Sequence, residues 1–170
     1  MIIGSSLVRS LENNKDNLNE RLKFGSTQTH TFRGKTAEYI TKYMVPHLEE
    51  ECPHTVVFVA GGNDIPRRRA TEKELRTIAN HLIEGGRKCK ENFGVSKVSI
   101  SSILPRVFGV FQGNRHVLNR MLEELCAEND FGFIDNGNIT QDKHIGYDGV
   151  HLNKAGGLVF TENIVSHLNA

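Results

Sequence analysis

Three well-separated stretches of this chain carry side chains suited to acyl transfer: Ile2-Ile3-Gly4-Ser5-Ser6, Ala60-Gly61-Gly62-Asn63-Asp64 and Asp148-Gly149-Val150-His151. A serine hydroxyl becomes a nucleophile when an imidazole takes its proton and a carboxylate fixes the imidazole's tautomer. Ser6 offers the hydroxyl just after a short apolar run, on a turn where Gly4 avoids a Cβ clash. Asp148 and His151 are three positions apart, so one helical turn or a tight loop puts carboxylate and ring on the same side. With Nδ1–H held by the carboxylate, Nε2 is free to accept the Ser6 proton. Asn63 follows two glycines that let the backbone approach a substrate closely. Its amide can donate to a developing oxyanion, as can the Ser6 backbone N–H.

Each piece alone has a plainer meaning. Ser6 could be a helix N-cap, His151 a solvated loop histidine and residues 61–64 a simple turn. The serine segment is not a G-x-S-x-G elbow, because position 8 is Val. His144 lies close enough in sequence to join Asp148 and His151 around a metal, but without a third firm ligand or a recognised spacing no metal is expected. No cofactor is expected either. Arg67-Arg68-Arg69 follows Asn63 closely. Such a run is ordinarily a solvated face; beside a reactive centre, together with Arg33 and Arg106, it could draw in an anionic group such as phosphate. Histidines 30, 47, 54, 81, 116 and 167 have no motif around them and read as surface or core residues. Phe108, Val110 and Phe111, among Gly109 and Gly113, read as an apolar loop that either lines an acyl pocket or packs on the core.

The elements that must position these groups alternate in type. Strands are expected at 1–4, 27–32, 55–60, 95–103 and 131–135, and helices at 36–50, 71–90, 114–129 and 154–168. The run Thr55-Val56-Val57-Phe58-Val59-Ala60 is apolar at almost every position, as in a strand covered on both faces. Thr71-Glu72-Lys73-Glu74 is a capping box. Alternating strands and helices predict right-handed crossovers and a parallel sheet between two helical layers. Ligands then sit beyond the carboxyl ends of the strands, where all three motifs fall.

Composition sets the remaining bounds. The 170 residues suit a single domain spanning 1–170, and 38% hydrophobic with 24% charged residues describes a globular chain. Net charge is +1, so no nucleic-acid or membrane partner is expected unless a local patch supplies the attraction. No apolar run approaches the roughly 20 residues of a membrane span. Cys52, Cys89 and Cys126 form no C-x-x-C pair, which reads as reduced, partly buried thiols in the cytosol or another reducing compartment. The first motif begins so near Met1 that the domain is expected to be cut from a longer polypeptide.

Block by block, the sequence resembles the SGNH (GDSL-type) hydrolase superfamily. Ser6 matches its nucleophile, Gly34 in Arg33-Gly34-Lys35-Thr36 its glycine, Asn63 its asparagine, and Asp148 with His151 its final D-x-x-H. The likeness also takes in Leu104-Pro105-Arg106 and runs through essentially the whole chain. It implies a flavodoxin-like three-layer sandwich with five parallel strands and an esterase or lipase-type activity. It also implies an oxyanion hole made by the amides of Ser6 and Gly34 and the Asn63 side chain. One departure is that the family's Gly-Asp-Ser is Gly4-Ser5-Ser6 here, which puts hydrogen bonding around the oxyanion hole in question. Segments 131–136 and 148–153 further resemble the esterase domains of certain non-LTR retrotransposon proteins.

The leading expectation is therefore a serine esterase acting through an acyl-enzyme on small, lipid-like or anionic esters. A histidine base predicts activity that rises with pH through roughly 6–7.5. A different class of reading is a degenerate hydrolase fold that binds RNA or protein, favoured by Ser5 and the arginine run. Transfer of the acyl group to a sugar rather than to water is a third, since both share the acyl-enzyme.

Overall fold

Five short strands build one parallel sheet in the order β2-β1-β3-β4-β5: β1 (Ile2–Gly4), β2 (Thr29–Thr31), β3 (Thr55–Val59), β4 (Lys97–Ser101) and β5 (Gly132–Ile134). The computed structural model describes residues 1–13, 15–23 and 26–170. Its helices are α1 (Arg9–Glu12), α2 (Lys15–Arg21), α3 (Ala37–Tyr43), α4 (Val45–Glu51), α5 (Glu72–Phe93), α6 (Gly109–Glu128), α7 (Gln141–His144) and α8 (Lys154–Asn169). A 3-10 turn, Ser6–Val8, follows β1.

Alternation along the strands sorts the core into two layers. Ile3, Val56, Phe58, Val98 and Ile100 face a cluster with Ile40, Leu48, Leu82 and Leu118 from α3 to α6. Ile2, Val57, Val59 and Ile134 face the other side, against Leu11, Leu18, Phe160 and Ile164 from α1, α2 and α8. A period of two thus loads both faces of a sheet whose strands are apolar nearly throughout. The expected three-layer α/β architecture is the one observed.

Several boundaries differ from expectation. The helix expected at 36–50 is two helices meeting at Met44, with Pro46 in the first turn of α4. Proline lacks the N–H a continuing helix would need and crowds the preceding turn. Residues 109–113 are not a loop but the start of α6, whose Phe111 is 4% exposed. Burial of that ring outweighs the poor helix propensity of the two glycines. Strand β4 begins at Lys97 rather than residue 95, because the Val95 N–H bonds the Cys89 carbonyl (3.1 Å) and closes α5 past Gly94. The Thr71–Glu74 capping box forms as read. Cys52 is exposed; Cys89 and Cys126 are buried and unpaired, and burial pushes both thiols up to about 12. Among the described residues, no helix is long and apolar enough to cross a membrane.

Candidate active site

Strand order reverses between β1 and β3, and at such a switch point the diverging connections open a crevice at the carboxyl edge of the sheet. Ser6 leaves β1 there and Asn63 leaves β3. Gly4 is required by close approach, not by the turn: a Cβ on it would stand 2.1 Å from the Val59 carbonyl oxygen of β3. Ser5 is 2% exposed and its N–H donates to that same carbonyl at 3.0 Å. Ser6 then heads the 3-10 turn, with Ser5 rather than Ser6 in the capping position. Its Oγ meets His151 Nε2 at 2.9 Å.

The Asp148–His151 pairing is a loop construction. An isolated antiparallel bridge, Ile145 with Leu152, closes its base, and the Gly146 N–H donates to the His151 carbonyl at 2.7 Å. Gly149 sits at φ 70°, the left-handed region a side chain would resist. Its carbonyl accepts the Val107 N–H at 2.8 Å, pinning the loop to the β4–α6 connection. Asp148 Oδ1 accepts the N–H groups of Val150 and His151, each at 2.9 Å, while Oδ2 holds His151 Nδ1 at 2.6 Å. The His151 backbone N–H, then its ring, then the Val150 N–H hold this carboxyl well below the usual carboxylate range. Asn153 locks the exit: its Oδ1 caps α8 at Gly156 and its Nδ2 donates to the Lys143 carbonyl. His144, by contrast, spends Nδ1 on the Thr140 N–H (2.9 Å) and does not join Asp148 and His151 as a ligand set.

Asn63 is oriented from both ends. Its Nδ2 donates to the Lys35 carbonyl at 3.0 Å and its Oδ1 accepts from Arg106 Nη2 at 2.7 Å. One Nδ2 hydrogen remains for another acceptor. The glycines before it make room for protein, not substrate: a Cβ on Gly61 would lie 2.9 Å from Ile103 Cδ1, and one on Gly62 3.1 Å from Arg106 Nη2. Gly34 is at φ 67° with nothing within 4 Å of a would-be Cβ, so conformation selects glycine there. Asp64 accepts the Ala37 N–H with both carboxylate oxygens (3.1 and 3.0 Å), tying residues 63–64 to the start of α3. Burial nevertheless pushes its carboxyl up to about 6.

The arginine run is split. Arg67 lines a groove of about 820 Å³ with Gly34, Asn63, Arg106, Phe108 and Val150, its guanidinium 5.9 Å from the centre of the Phe108 ring. Arg68 turns away to Glu74, with contacts of 3.1 and 2.5 Å that hold that carboxyl down to about 2. Arg69 borders a separate cleft between α5 and α6. Arg106 is half-buried beneath Phe111 and serves Asn63. Nothing places Arg33 in the groove. A wider cavity of about 1240 Å³ lies at the opposite, amino-terminal end of the sheet and contains none of these groups.

Sequence reasoning had no role for Asp64 and none for Arg106 as the partner of Asn63. The adjacency of Asp64 to Asn63 was the available signal for the first. For the second there was none, since the contact spans the β3 and β4 connections.

No family model matches this sequence, and no curated protein does. Solved structures do. A lipase/acylhydrolase from Enterococcus faecalis has a TM-score of 0.74 at 18% identity, over 99% of this chain and 94% of its own. An acetylxylan esterase from Geobacillus stearothermophilus has a TM-score of 0.77 at 12% identity, over 98% and 92%. TesA has a TM-score of 0.72 at 18% identity, over 98% and 96%. At such identities the likeness shows the fold alone.

Proposed function

We propose that this chain is a single-domain serine esterase that works through an acyl-enzyme on small or lipid-like carboxylic esters. The observation that carries the reading is the unbroken relay from Ser6 Oγ to His151 Nε2 (2.9 Å) and from His151 Nδ1 to Asp148 (2.6 Å). In the acylation step Ser6 Oγ bonds to the ester carbonyl carbon while its proton passes to Nε2. The carbonyl oxygen becomes an oxyanion facing the Ser6 and Gly34 amides and the remaining Asn63 hydrogen. Collapse expels the alcohol, which takes the proton from His151. Water repeats the sequence and frees the acid. Val107, Phe108 and Val110, all exposed and lining the groove with Gly34, Asn63 and Val150, suit an apolar acyl chain, and Arg67 suits an anionic substituent.

The neighbouring acylhydrolase structures agree with this chemistry. The resemblance to retrotransposon esterase domains rests on segments 131–136 and 148–153 alone. A fully paired Ser–His–Asp relay is more than a pure RNA- or protein-binding module would need, which favours the enzyme reading over that rival.

The test is covalent labelling by a fluorophosphonate probe together with turnover of short and long p-nitrophenyl acyl esters. Wild type should label at Ser6 and hydrolyse at least one ester series, and Ser6→Ala should do neither. Equal behaviour of the two proteins would reject the nucleophile.

A further inference from the structure

We propose that His30, His47 and Glu51 form a binding site for one divalent transition-metal ion, with zinc the best match to the donors. The three residues come from two elements that the fold presses together. His30 is the middle residue of β2 and pairs in register with Ile3, which faces the α3–α6 layer. His47 and Glu51 lie one helical turn apart on α4, a spacing that puts both on one face. The imidazole rings of His30 and His47 stack with centroids 3.9 Å apart at 25°. Glu51 Oε1 is 2.5 Å from His30 Nε2. One donor atom from each residue lies within 4.8 Å of the other two.

Donors around a tetrahedral zinc ion, at about 2.0–2.1 Å each, stand roughly 3.3 Å from one another. Binding therefore requires side-chain rotations that open the His30–His47 stack, because a ring nitrogen's lone pair lies in the ring plane and near-parallel rings do not converge on one ion. Two imidazole nitrogens and a carboxylate oxygen are a donor set that zinc and its neighbours in the first transition row accept. The residues are partly buried: the side chains of His30 and Glu51 are 19% and 20% exposed. That leaves an entry path and room for water to complete the coordination. Phe32 sets the edge of its ring against His47 at 5.9 Å and limits that side chain's freedom. Among the described residues this is the one such three-residue group.

A bound ion would tie the edge strand to α4, just before the turn that carries Gly34. The proposal does not depend on the esterase reading, and its test needs no turnover. The chelator-treated full chain would be titrated with cobalt(II) and followed by visible d–d absorption, with zinc competition. Thermal melting would be measured in parallel.

Expected are one equivalent of tetrahedral cobalt displaced by zinc, and a melting temperature raised by about 8 °C at a hundredfold excess of zinc over its Kd. His47→Gln and Glu51→Gln should each weaken binding by at least about tenfold. Cys52→Ser and Ser6→Ala should bind as wild type does. If His47→Gln fails to fold, as judged by circular dichroism, His30→Gln carries the same expectation. Loss of the signal in Cys52→Ser, its survival in the histidine and glutamate variants, or no saturable one-equivalent signal would overturn the site. A plain His30–Glu51 ion pair predicts the last of these.

Discussion

Asp148 and Asp64 are the same side chain placed on two parts of the candidate site, and their carboxyls are pushed in opposite directions. Asp148 is exposed and held by N–H groups two and three residues ahead of it, so its charge is solvated and locally bonded. Asp64 is partly buried and bonded to Ala37, 27 residues away, and loss of water dominates its shift. The contrast extends to their surroundings. The Asp148–His151 pair is bonded within one loop, which the Val107 N–H pins from outside at the Gly149 carbonyl. The Asn63 unit depends on Lys35 and Arg106, 28 and 43 residues distant. Local contacts place the Asp148–His151 pair at little structural expense, whereas the geometry of Asn63 rests on how the sheet's loops pack. Damage to the first should cost mostly rate, with a small stability loss where Asp148 is removed, and damage to the second should cost rate and stability together.

The sharpest break of that contrast is in the relay. Ser6→Ala should lower kcat by at least about 10⁴-fold, and Asp148→Asn by about 10²–10⁴-fold, both with melting temperatures within about 2 °C of wild type. A large drop in melting temperature for either would show that the loop is not self-supporting.

Next is the pH response of Asp64. Burial lifts its folded pKa to about 6, above the ordinary carboxylate value of 3.8, so the folded state binds more protons between those values and stability falls as pH rises through about 4–6. That difference corresponds to on the order of 3 kcal/mol at most. Urea midpoints across that window should show the slope in wild type and lose it in Asp64→Asn. Asp148 runs the other way. Its depressed carboxyl contributes above the unfolded value and is lost only as pH falls well below 4, so the two acids act in separate windows.

Arg106→Met should be smaller but double in kind. Leaving Asn63 Oδ1 without its partner should cost about 10–100-fold in kcat and lower the melting temperature by a few degrees. A KM effect on anionic esters with unchanged kcat would instead make Arg106 a substrate contact. Smallest of all, Arg67→Ala should raise KM for an anionic ester by roughly threefold, in a manner lost at high salt. Arg68→Ala, whose guanidinium is committed to Glu74, should leave KM unchanged.

The two regions also differ in how far they could be read without coordinates. Asp148 and His151 were legible because three-residue spacing constrains geometry whatever the rest of the fold does. Ser6 and Asn63 were legible as strand-end polar residues after glycine. The reasons given for those glycines were not: Gly4 answers to Val59, and Gly61 and Gly62 to Ile103 and Arg106, across strands rather than along them. The arginine run looked like a unit because its members are adjacent. Successive residues point different ways, and Glu74 in the capping box captured one of them. Pro46 was visible and its break of the helix at Met44 could have been read. The early start of α6 could not, because Phe111 is drawn in by a core that only packing creates.

What the linear chain settled was periodicity and short-range pairing. Apolar strands alternating with amphipathic helices leave a parallel three-layer sheet as the way to bury both faces, and D-x-x-H carries its own hydrogen bonds. What folding alone decided was every relation between distant segments: Ser6 against His151, Arg106 on Asn63, and His30 beneath α4 beside His47 and Glu51. Those depend on strand register and on which loops the sheet's reversal brings together. A one-residue slip of β2 would turn His30 to the opposite face and away from α4, and no local spacing encodes that choice.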